Sequence, residues 1–220
     1  MEFETLLEII KKRRTIRKYR PEPIPDDYIH KVIDAARWAP SGANTQPWEF
    51  VIVKDPEVKK QMGLTASGAV ARGNEGKVPP QPYFEGAPVL IVVCGDPRLM
   101  EACPKGEIRE ELFISSMGAA IQNMLLAATA LGLEGSVWGT VGPLGGVRIK
   151  DMLNIPQVFK VCAIVPLGYP ALHPSPTFRR EINEISHVEK YDQSKFRSDK
   201  DIQEFIEKKT MKGLNKMRLL

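Results

Sequence analysis

The sequence predicts a single α+β domain in which a mixed, mostly antiparallel sheet is flanked by helices. Three apolar, β-branched runs predict strands over residues 48–53, 87–94 and 161–167. The longest helical pattern, residues 108–131, is apolar on nearly every side, so we expect it to be buried in the core or in a subunit interface. At 220 residues the chain is long enough to bury a core of its own.

Two amphipathic helices are predicted before the first strand. Apolar residues recur at helical spacing over residues 3–10, which predicts a helix that ends near residue 13 or 14. Residues 15–19 are predicted to be extended, and three prolines then form a connector that cannot continue a helix. The second helix begins at residue 26 or 27, where acidic side chains suit its positive end, and Pro40 closes it. Its predicted apolar face comprises Ile29, Val32, Ile33, Ala36 and Trp38.

The middle of the chain is predicted to contain a long loop. A short helix is expected over residues 57–62, followed by small, polar, Gly- and Pro-rich sequence over residues 63–86. Loops of this length in compact domains are usually functional or mobile, so we interpret this segment as a lid over the site. A short strand is predicted over residues 136–138, and a glycine-rich stretch, 139–146, leads to a small helix over residues 147–153.

The domain organisation is predicted to be simple. We expect residues 1–190 to form the main domain and residues 191–220 to be a C-terminal helical arm or tail of the same domain. The end of the tail is predicted to be helical and basic over residues 199–220. Its cationic side chains could bind acidic surfaces, but we favour a solvated helix or an arm that wraps a partner subunit. No nucleic acid is expected as a partner.

Composition and charge indicate an ordinary globular protein. The hydrophobic content is 43% and the charged content 26%, and the net charge of +4 does not by itself indicate nucleic-acid binding. Cys94 and Cys162 lie in strand-like runs and are predicted to be buried thiols, whereas Cys103 could be a free thiol. An odd cysteine count without a disulfide framework fits a reducing compartment. With no secretory signal in sight and no membrane span, because residues 117–133 are interrupted by polar groups, we expect a cytoplasmic location.

The first donor-rich segment is residues 13–17. Arg13, Arg14 and Arg17 follow a helix in an extended frame, in which two of the three can point to one side. Guanidinium groups suit phosphate oxygens and polar ring edges. The competing interpretation is a solvated basic helix end, which the helix dipole also favours.

The second donor-rich segment is residues 39–48. Ser41 and Asn44 supply short donors and acceptors, while Gly42 and Ala43 allow a ligand to approach the backbone closely. A polar turn between a helix and a strand would explain any one of these residues, but it explains the whole string less well. Together, the two segments suggest a site for a planar, anionic ligand.

Other chemical motifs are weak. The glycine-rich stretch lacks the Lys-Ser/Thr ending of a P-loop, and no strand is followed by a dinucleotide-binding fingerprint. His30, His173 and His187 show no metal-ligand spacing, so no metal site is expected.

The two donor-rich segments resemble the signature of the FMN-dependent nitroreductase family. The first matches as Arg-Arg-Thr-Ile-Arg-Lys-Tyr, with Thr15 where the family usually has Ser, so the hydroxyl is kept. The second matches as Ala-Pro-Ser-Gly-Ala-Asn-Thr-Gln-Pro-Trp-Glu-Phe. The resemblance extends over about residues 5–190, and its further matching segments are residues 87–94, 117–128 and 165–171. It implies the nitroreductase-like fold.

The resemblance also implies a homodimer whose interface is formed by the long central helix. Two FMN sites would lie at that interface. One subunit would hold the flavin phosphate, ribityl chain and pyrimidine edge, and the other would contribute its second donor-rich segment. Backbone of the glycine-rich stretch would lie beside the isoalloxazine, and a later arginine would complete the phosphate site. In the order just given, the implied residues are Arg13, Arg14, Thr15 and Arg17; Pro40, Ser41 and Asn44; Trp138, Gly139 and Thr140; and Arg179.

The chemistry implied by the resemblance is ping-pong hydride transfer. NADH or NADPH would reduce the flavin and leave, and a nitroaromatic, quinone or similar small acceptor would then be reduced on the same face. Arg17 is the candidate for stabilising negative charge near the flavin N1 edge, and no catalytic acid or base is assigned. The alternatives are a dehydrogenase or reductive dehalogenase on the same fold, and a flavin-binding module without turnover.

Overall fold

The computed structural model describes residues 2–69, 82–103, 105–137 and 142–207. Its helices are α1 (Phe3–Lys12), α2 (Asp26–Arg37), α3 (Pro56–Ala69), α4 (Pro82–Gly86), α5 (Glu107–Ala130), α6 (Gly142–Met152), α7 (Ile182–Ile185) and α8 (Asp199–Phe205). Its strands are β1 (Trp48–Val53), β2 (Val89–Gly95), β3 (Glu134–Gly135) and β4 (Lys160–Gly168), and short 3-10 helices span Gly42–Asn44, Pro97–Ala102 and Gln193–Lys195.

The four strands form one antiparallel sheet in the order β1–β2–β4–β3. All residues of β2 are buried, as expected for a central strand that is covered on both faces. Val89 of β2 lies opposite Leu167 of β4, and the register shifts between Val93 and Cys94. The predicted α+β class and its mostly antiparallel sheet are confirmed.

The two faces of the sheet carry two separate parts of the core. Alternate β2 residues, among them Ile91 and Val93, pack with α2 and α5, whereas Leu90 and Val92 pack with α3, α4 and α6. This alternation follows from the period of two along a strand. Each fully buried aliphatic side chain contributes roughly 1.5–3 kcal/mol to folding, so the buried strand provides a rigid centre for the loops at its ends.

The strongest sequence patterns predicted element positions well. The first strand lies where its aromatic and β-branched residues predicted it, and the long apolar helix is present as α5. Gly132, which follows α5, has a φ of +75°, and its N–H donates to Thr129 O at 3.1 Å. A left-handed glycine after the last helical turn is a common way to satisfy the final carbonyl groups.

The predicted loop over residues 63–86 is wrong in the part that the structure describes. Residues 63–69 continue α3, and residues 82–86 form α4. Gly63 is buried and lies within α3, so packing outweighs the cost of about 1 kcal/mol that glycine brings to a helix interior. Residues 70–81 lie outside the described residues, and the lid interpretation for them stays a prediction.

Several smaller expectations also need correction. The strand expected over residues 136–138 is instead the two-residue β3, which ends just before residue 136. Trp138 lies outside the described residues. The helix expected from residue 147 already begins at Gly142, so residues 142–146 are helical. Trp38 is not part of the apolar face of α2, because it caps the helix and is 74% exposed. Cys162, which was expected to be buried, is only half-buried, whereas Cys103 is a free thiol as expected.

The chain divides into two compact units, Met1–Pro174 and Ser175–Leu220. The first contains the whole sheet, and the second contains α7 and α8 in its described part. The boundary expected between residues 190 and 191 stays a prediction. The helical tail is described only as far as residue 207, so its basic end lies outside the described residues. Among the described helices, Ile108–Ala130 has the length and composition of a membrane span, a test that the core helix of a soluble protein also passes.

Candidate functional site

The first donor-rich segment is held against β3 as an extra, short edge strand. Thr15 forms a parallel bridge with Gly135, and the N–H of Ile16 donates to Gly135 O at 3.3 Å. The N–H of Arg14 has no backbone acceptor there and donates instead to Oε2 of Glu134 at 3.1 Å. One carboxylate therefore extends a ladder that a two-residue strand is too short to provide.

Glu134 is the buried anchor of this arrangement, with 5% of its surface exposed. Its Oε2 also accepts a hydrogen bond from Thr129 Oγ1 at 3.3 Å. Burial raises the pKa of Glu134 above its usual value, while the Arg14 N–H, the Thr129 hydroxyl and the charges of Arg13 and Lys12 oppose that rise. Sequence reasoning missed Glu134. The available signal was a single charged residue in the short apolar and small-residue run 131–137.

Arg14 carries both a structural and an unsatisfied group. Its Nη1 donates to Arg13 O at 2.9 Å and Lys12 O at 3.2 Å, and thus caps the free carbonyl groups at the end of α1. Its Nε, in contrast, is buried without a hydrogen-bond partner. A buried donor left unpaired costs about 1–3 kcal/mol, so this atom marks a place where a bound acceptor would be stabilising.

Ser136 carries a second unsatisfied group close to the same ladder. Its Oγ is buried and makes no hydrogen bond of good geometry within the described part of the chain. The neighbouring Tyr19 hydroxyl donates to Ile16 O at 2.7 Å instead. Burial raises the pKa of Tyr19 well above its usual range. The nearby Ser136 hydroxyl opposes this rise, although the distance and angles between the two hydroxyl groups are not those of a hydrogen bond. Two of the three orphaned buried side-chain atoms among the described residues thus flank β3.

Of the other residues of the first segment, Ile16 is buried in the core. Thr15 and Arg17 are exposed and Arg13 is half-buried. The Arg17 guanidinium lies over the ring of Tyr83 in α4, with 5.9 Å between the guanidinium carbon and the ring centre. The structure therefore brings Arg13, Arg14, Thr15 and Arg17 together at one end of the sheet, as the sequence predicted for a single donor-rich segment.

The second donor-rich segment is a strained turn. Ala43, Asn44 and Gln46 have φ values of 50°, 54° and 47°, in the left-handed region that non-glycine residues rarely adopt. Such residues cost of order 1–3 kcal/mol each and persist only where the surroundings impose them. Ser41 Oγ accepts from Gln46 N at 3.0 Å, which uses one of the predicted ligand-binding groups to hold the turn.

The turn is fixed to the first half of α5. The N–H of Gly42 donates to Ser116 Oγ at 3.2 Å, and that hydroxyl donates to Leu112 O at 2.6 Å. A Cβ atom at Gly42 would lie 3.2 Å from Cys103 Sγ and from Leu112 Cβ, so glycine permits this close approach. Asn44 and Pro40 remain exposed.

The two donor-rich segments do not meet within one chain. The turn contacts α5 at Ser116, whereas the first segment is joined to α5 through Glu134 and Thr129. These positions are thirteen residues apart, which corresponds to about 20 Å along a helix.

Four predicted residues lie elsewhere. Trp138, Gly139 and Thr140 lie outside the described residues. Arg179 belongs to the second unit, where it is exposed and its Nη1 donates to Thr177 Oγ1 at 2.6 Å and to Phe178 O at 2.9 Å.

The cysteines and potential metal ligands offer no competing chemistry in the described ranges. No group of three or more His, Cys, Asp or Glu side chains that could hold a metal ion occurs there. Burial raises the pKa of Cys94 to about 12 and that of Cys162 to about 11. Both are therefore protonated at neutral pH, whereas nucleophilic cysteines are thiolates.

Comparison with known proteins decides the family. Residues 10–169 match the model of the nitroreductase family. The chain belongs to the nitroreductase family. This assignment agrees with the resemblance found in the two donor-rich segments, both of which lie within the matched residues.

Individual relatives carry several names. The chain is 37% identical over 170 residues to a protein of Archaeoglobus fulgidus provisionally named NADH dehydrogenase/NAD(P)H nitroreductase, covering 76% of this chain and 87% of that protein. It is 33% identical over 177 residues to the iodotyrosine deiodinase of Nematostella vectensis, covering 74% of this chain and 66% of that protein. Among solved structures it is similar to the NADPH:FMN oxidoreductase of Vibrio harveyi complexed with NAD+, with a TM-score of 0.72, 26% identity and coverage of 94% and 85% of the two chains.

Proposed function

We propose that this nitroreductase-family protein is an FMN-dependent oxidoreductase that uses NADH or NADPH to reduce a nitroaromatic, a quinone or a similar small acceptor. The observation that carries the proposal is the pair of buried, unpaired polar atoms, Arg14 Nε and Ser136 Oγ, beside a basic segment. A ligand rich in hydrogen-bond acceptors would satisfy both groups and offset their desolvation cost. A relative named for NAD(P)H nitroreductase activity and a neighbour named for NADPH:FMN activity support this choice.

The first donor-rich segment fits the polar parts of FMN. Arg13 and Arg14 supply guanidinium donors of the kind that hold phosphate oxygens, and Thr15 supplies an exposed hydroxyl for the ribityl chain or the pyrimidine edge. When bound, FMN supplies the hydride chemistry that side chains cannot. Arg17 places its positive charge beside that site and favours negative charge on the ligand. Trp138, Gly139 and Thr140, which lie outside the described residues, are proposed to complete the site, and the phosphate contact expected of Arg179 stays a prediction.

We further propose that the site is completed by a second copy of the chain in a homodimer. Pro40, Ser41 and Asn44 of the partner subunit would supply the second donor-rich segment, because about 20 Å of α5 separates the two anchors within one chain.

Uncovered apolar surface supports this assembly. The amphipathic helix α1 has no buried residue, and Phe3 and Ile10 are 69% and 44% exposed. Ile114 on α5 is 61% exposed, and Gly118 one turn later has open space around it. These exposed apolar side chains leave apolar surface on both helices for a partner subunit to cover. A cytoplasmic location is part of the same proposal.

The proposal is tested by the visible absorption spectrum of the purified protein, after incubation with FMN and gel filtration. We expect a yellow protein with about one FMN per chain, since each of the two interfacial sites uses one first segment. Anaerobic addition of NADH or NADPH should bleach it, and a nitroaromatic or quinone should restore the colour with turnover. Bleaching without turnover on any acceptor would indicate a flavin-binding module, and failure to retain FMN would contradict the proposal.

A second candidate function, reductive dehalogenation, is favoured by one observation. The chain is 33% identical to a protein named iodotyrosine deiodinase. The acceptor arm of the same experiment separates the two candidates: halide release from an iodophenol, with no oxidation by a nitrophenol or quinone, would select dehalogenation.

A further inference from the structure

The short helix α4 is held through its buried middle and through the chain that follows it. Phe84 is fully buried in the core beneath the sheet. The ammonium group of Lys59, itself buried, donates to Pro88 O at 3.2 Å and to Ala87 O, which fixes the chain after α4. Desolvation lowers the pKa of Lys59. A residue on α4 is therefore presented by a rigid support rather than by a freely moving loop.

Tyr83 is the residue that this support directs toward Arg17. The rings of Tyr83 and Phe84 pack edge to face, with 5.1 Å between their centres, which restricts the orientation of the Tyr83 ring. The Arg17 guanidinium lies over that ring at 5.9 Å. Fixing an arginine side chain costs about 1.5–2 kcal/mol of conformational entropy. Because contact with the ring already restricts the Arg17 side chain, part of this cost has been met before any ligand binds.

The state of the phenol preserves the charge of Arg17. Burial raises the pKa of Tyr83 to about 12, and the charge of Arg17 and its hydrogen bond to the phenol oppose the rise. Tyr83 is consequently neutral near pH 7. A neutral partner fixes the guanidinium without neutralising it, whereas a carboxylate partner would reduce the field that Arg17 directs at a ligand.

We propose that Tyr83 is a positioning residue that holds the Arg17 guanidinium in place for the anionic edge of the bound flavin. This inference rests on the proposed function, because it assigns Tyr83 a role in the same site. It makes the α4 helix part of the machinery that sets how strongly reduced FMN is bound relative to oxidised FMN.

The test compares Tyr83→Leu, which removes the ring that packs against Arg17, with a matched control, Tyr169→Leu. Both tyrosines pack under an arginine, but Arg20, which lies 5.2 Å from the Tyr169 ring, is also paired with Glu22 and is not assigned to the site. Dissociation constants of oxidised FMN and the reduction potential of the bound flavin are measured for each variant. Circular dichroism and thermal unfolding verify that each variant is folded.

We expect Tyr83→Leu to weaken the binding of reduced FMN about tenfold more than that of oxidised FMN. That ratio corresponds to a potential lower by ~30 mV for a two-electron couple. Tyr169→Leu should leave the potential unchanged, and in an Arg17→Ala background Tyr83→Leu should have no further effect, because coupled residues are not additive.

Two results would overturn the inference, and they are distinguishable. If the wild type binds FMN and Tyr83→Leu has the potential of Tyr169→Leu, the positioning role is wrong while the proposed function stands. If the wild type retains no FMN, the proposed function and this inference fail together.

Discussion

At the scale of single residues, Glu134 has the largest structural consequence in the candidate site. Its carboxylate accepts a hydrogen bond from the Arg14 N–H, in place of a backbone carbonyl group, and a second hydrogen bond from the Thr129 hydroxyl. Because both bonds are made to one buried oxygen, the position of the whole basic segment depends on the protonation state of one side chain. The role of Glu134 can therefore be tested by measuring protein stability as a function of pH.

Glu134→Gln removes ionisation while keeping an oxygen acceptor for the Arg14 N–H. The folded-state pKa of Glu134 lies above the usual 4.5, so the folded protein retains its proton in a pH window where the unfolded chain has lost it. The stability of the wild type relative to Glu134→Gln should therefore fall as the pH rises from about 4.5 through the folded-state pKa, and stay constant above it.

Urea unfolding of both proteins at intervals from about pH 4 to pH 8 measures this difference. Glu8→Gln, an exposed carboxylate change on α1, serves as the control for general charge effects. Parallel stability curves for the wild type and Glu134→Gln over the whole range would show that Glu134 titrates as it does in the unfolded chain.

At the scale of elements, the strained turn after α2 is held by hydrogen bonds within the turn and to α5. Ala43→Gly should stabilise the protein by roughly 0.5–1 kcal/mol, because glycine adopts a positive φ without the steric cost that alanine bears. The matched control is Ala35→Gly within α2, which should destabilise by about 1 kcal/mol. Both changes are measured as free energies of unfolding in urea.

The sign of the Ala43→Gly effect is the decisive outcome. A loss of stability similar to that of Ala35→Gly would mean that the left-handed conformation is absent or costs nothing. With the predicted gain, a lower affinity for FMN in the same variant would indicate that the strain keeps the turn preorganised for its ligand.

The elements also show how far sequence alone predicts this fold. Strands β1, β2 and β4 and helix α5 carry long, regular apolar patterns, and their boundaries were predicted to within two residues. Strand β3 has two residues and therefore no period to detect. The continuation of α3 through Gly63 depends on tertiary packing, which overrides local propensity.

The candidate site divides in the same way. Arginine, serine and asparagine side chains are hydrogen-bond donors or acceptors by residue type, so the two donor-rich segments could be identified in the sequence. Glu134 and Tyr83 act through contacts with residues that are distant in sequence. Glu134 has only a weak local signal, as the one charged residue in its run, and Tyr83 has none, so the three-dimensional structure is needed to place them beside Arg14 and Arg17.

At the scale of the whole molecule, the central claim is that each site is built from two chains. Arg17→Glu reverses the charge of the first segment, and Asn44→Asp adds a negative charge to the second while tolerating its left-handed backbone. Each change should repel an anionic ligand, so either variant alone should retain little FMN. In a symmetric dimer, however, the two changes affect different halves of each site.

The most direct measurement is the FMN content of a dimer population formed by co-expressing these two variants in equal amounts. Half of the dimers are then mixed, and each mixed dimer has one site with both changes and one with neither. We predict that about a quarter of the wild-type FMN sites are recovered. FMN content no higher than the average of the two parent variants, in a population shown to contain mixed dimers, would contradict a site shared between two chains.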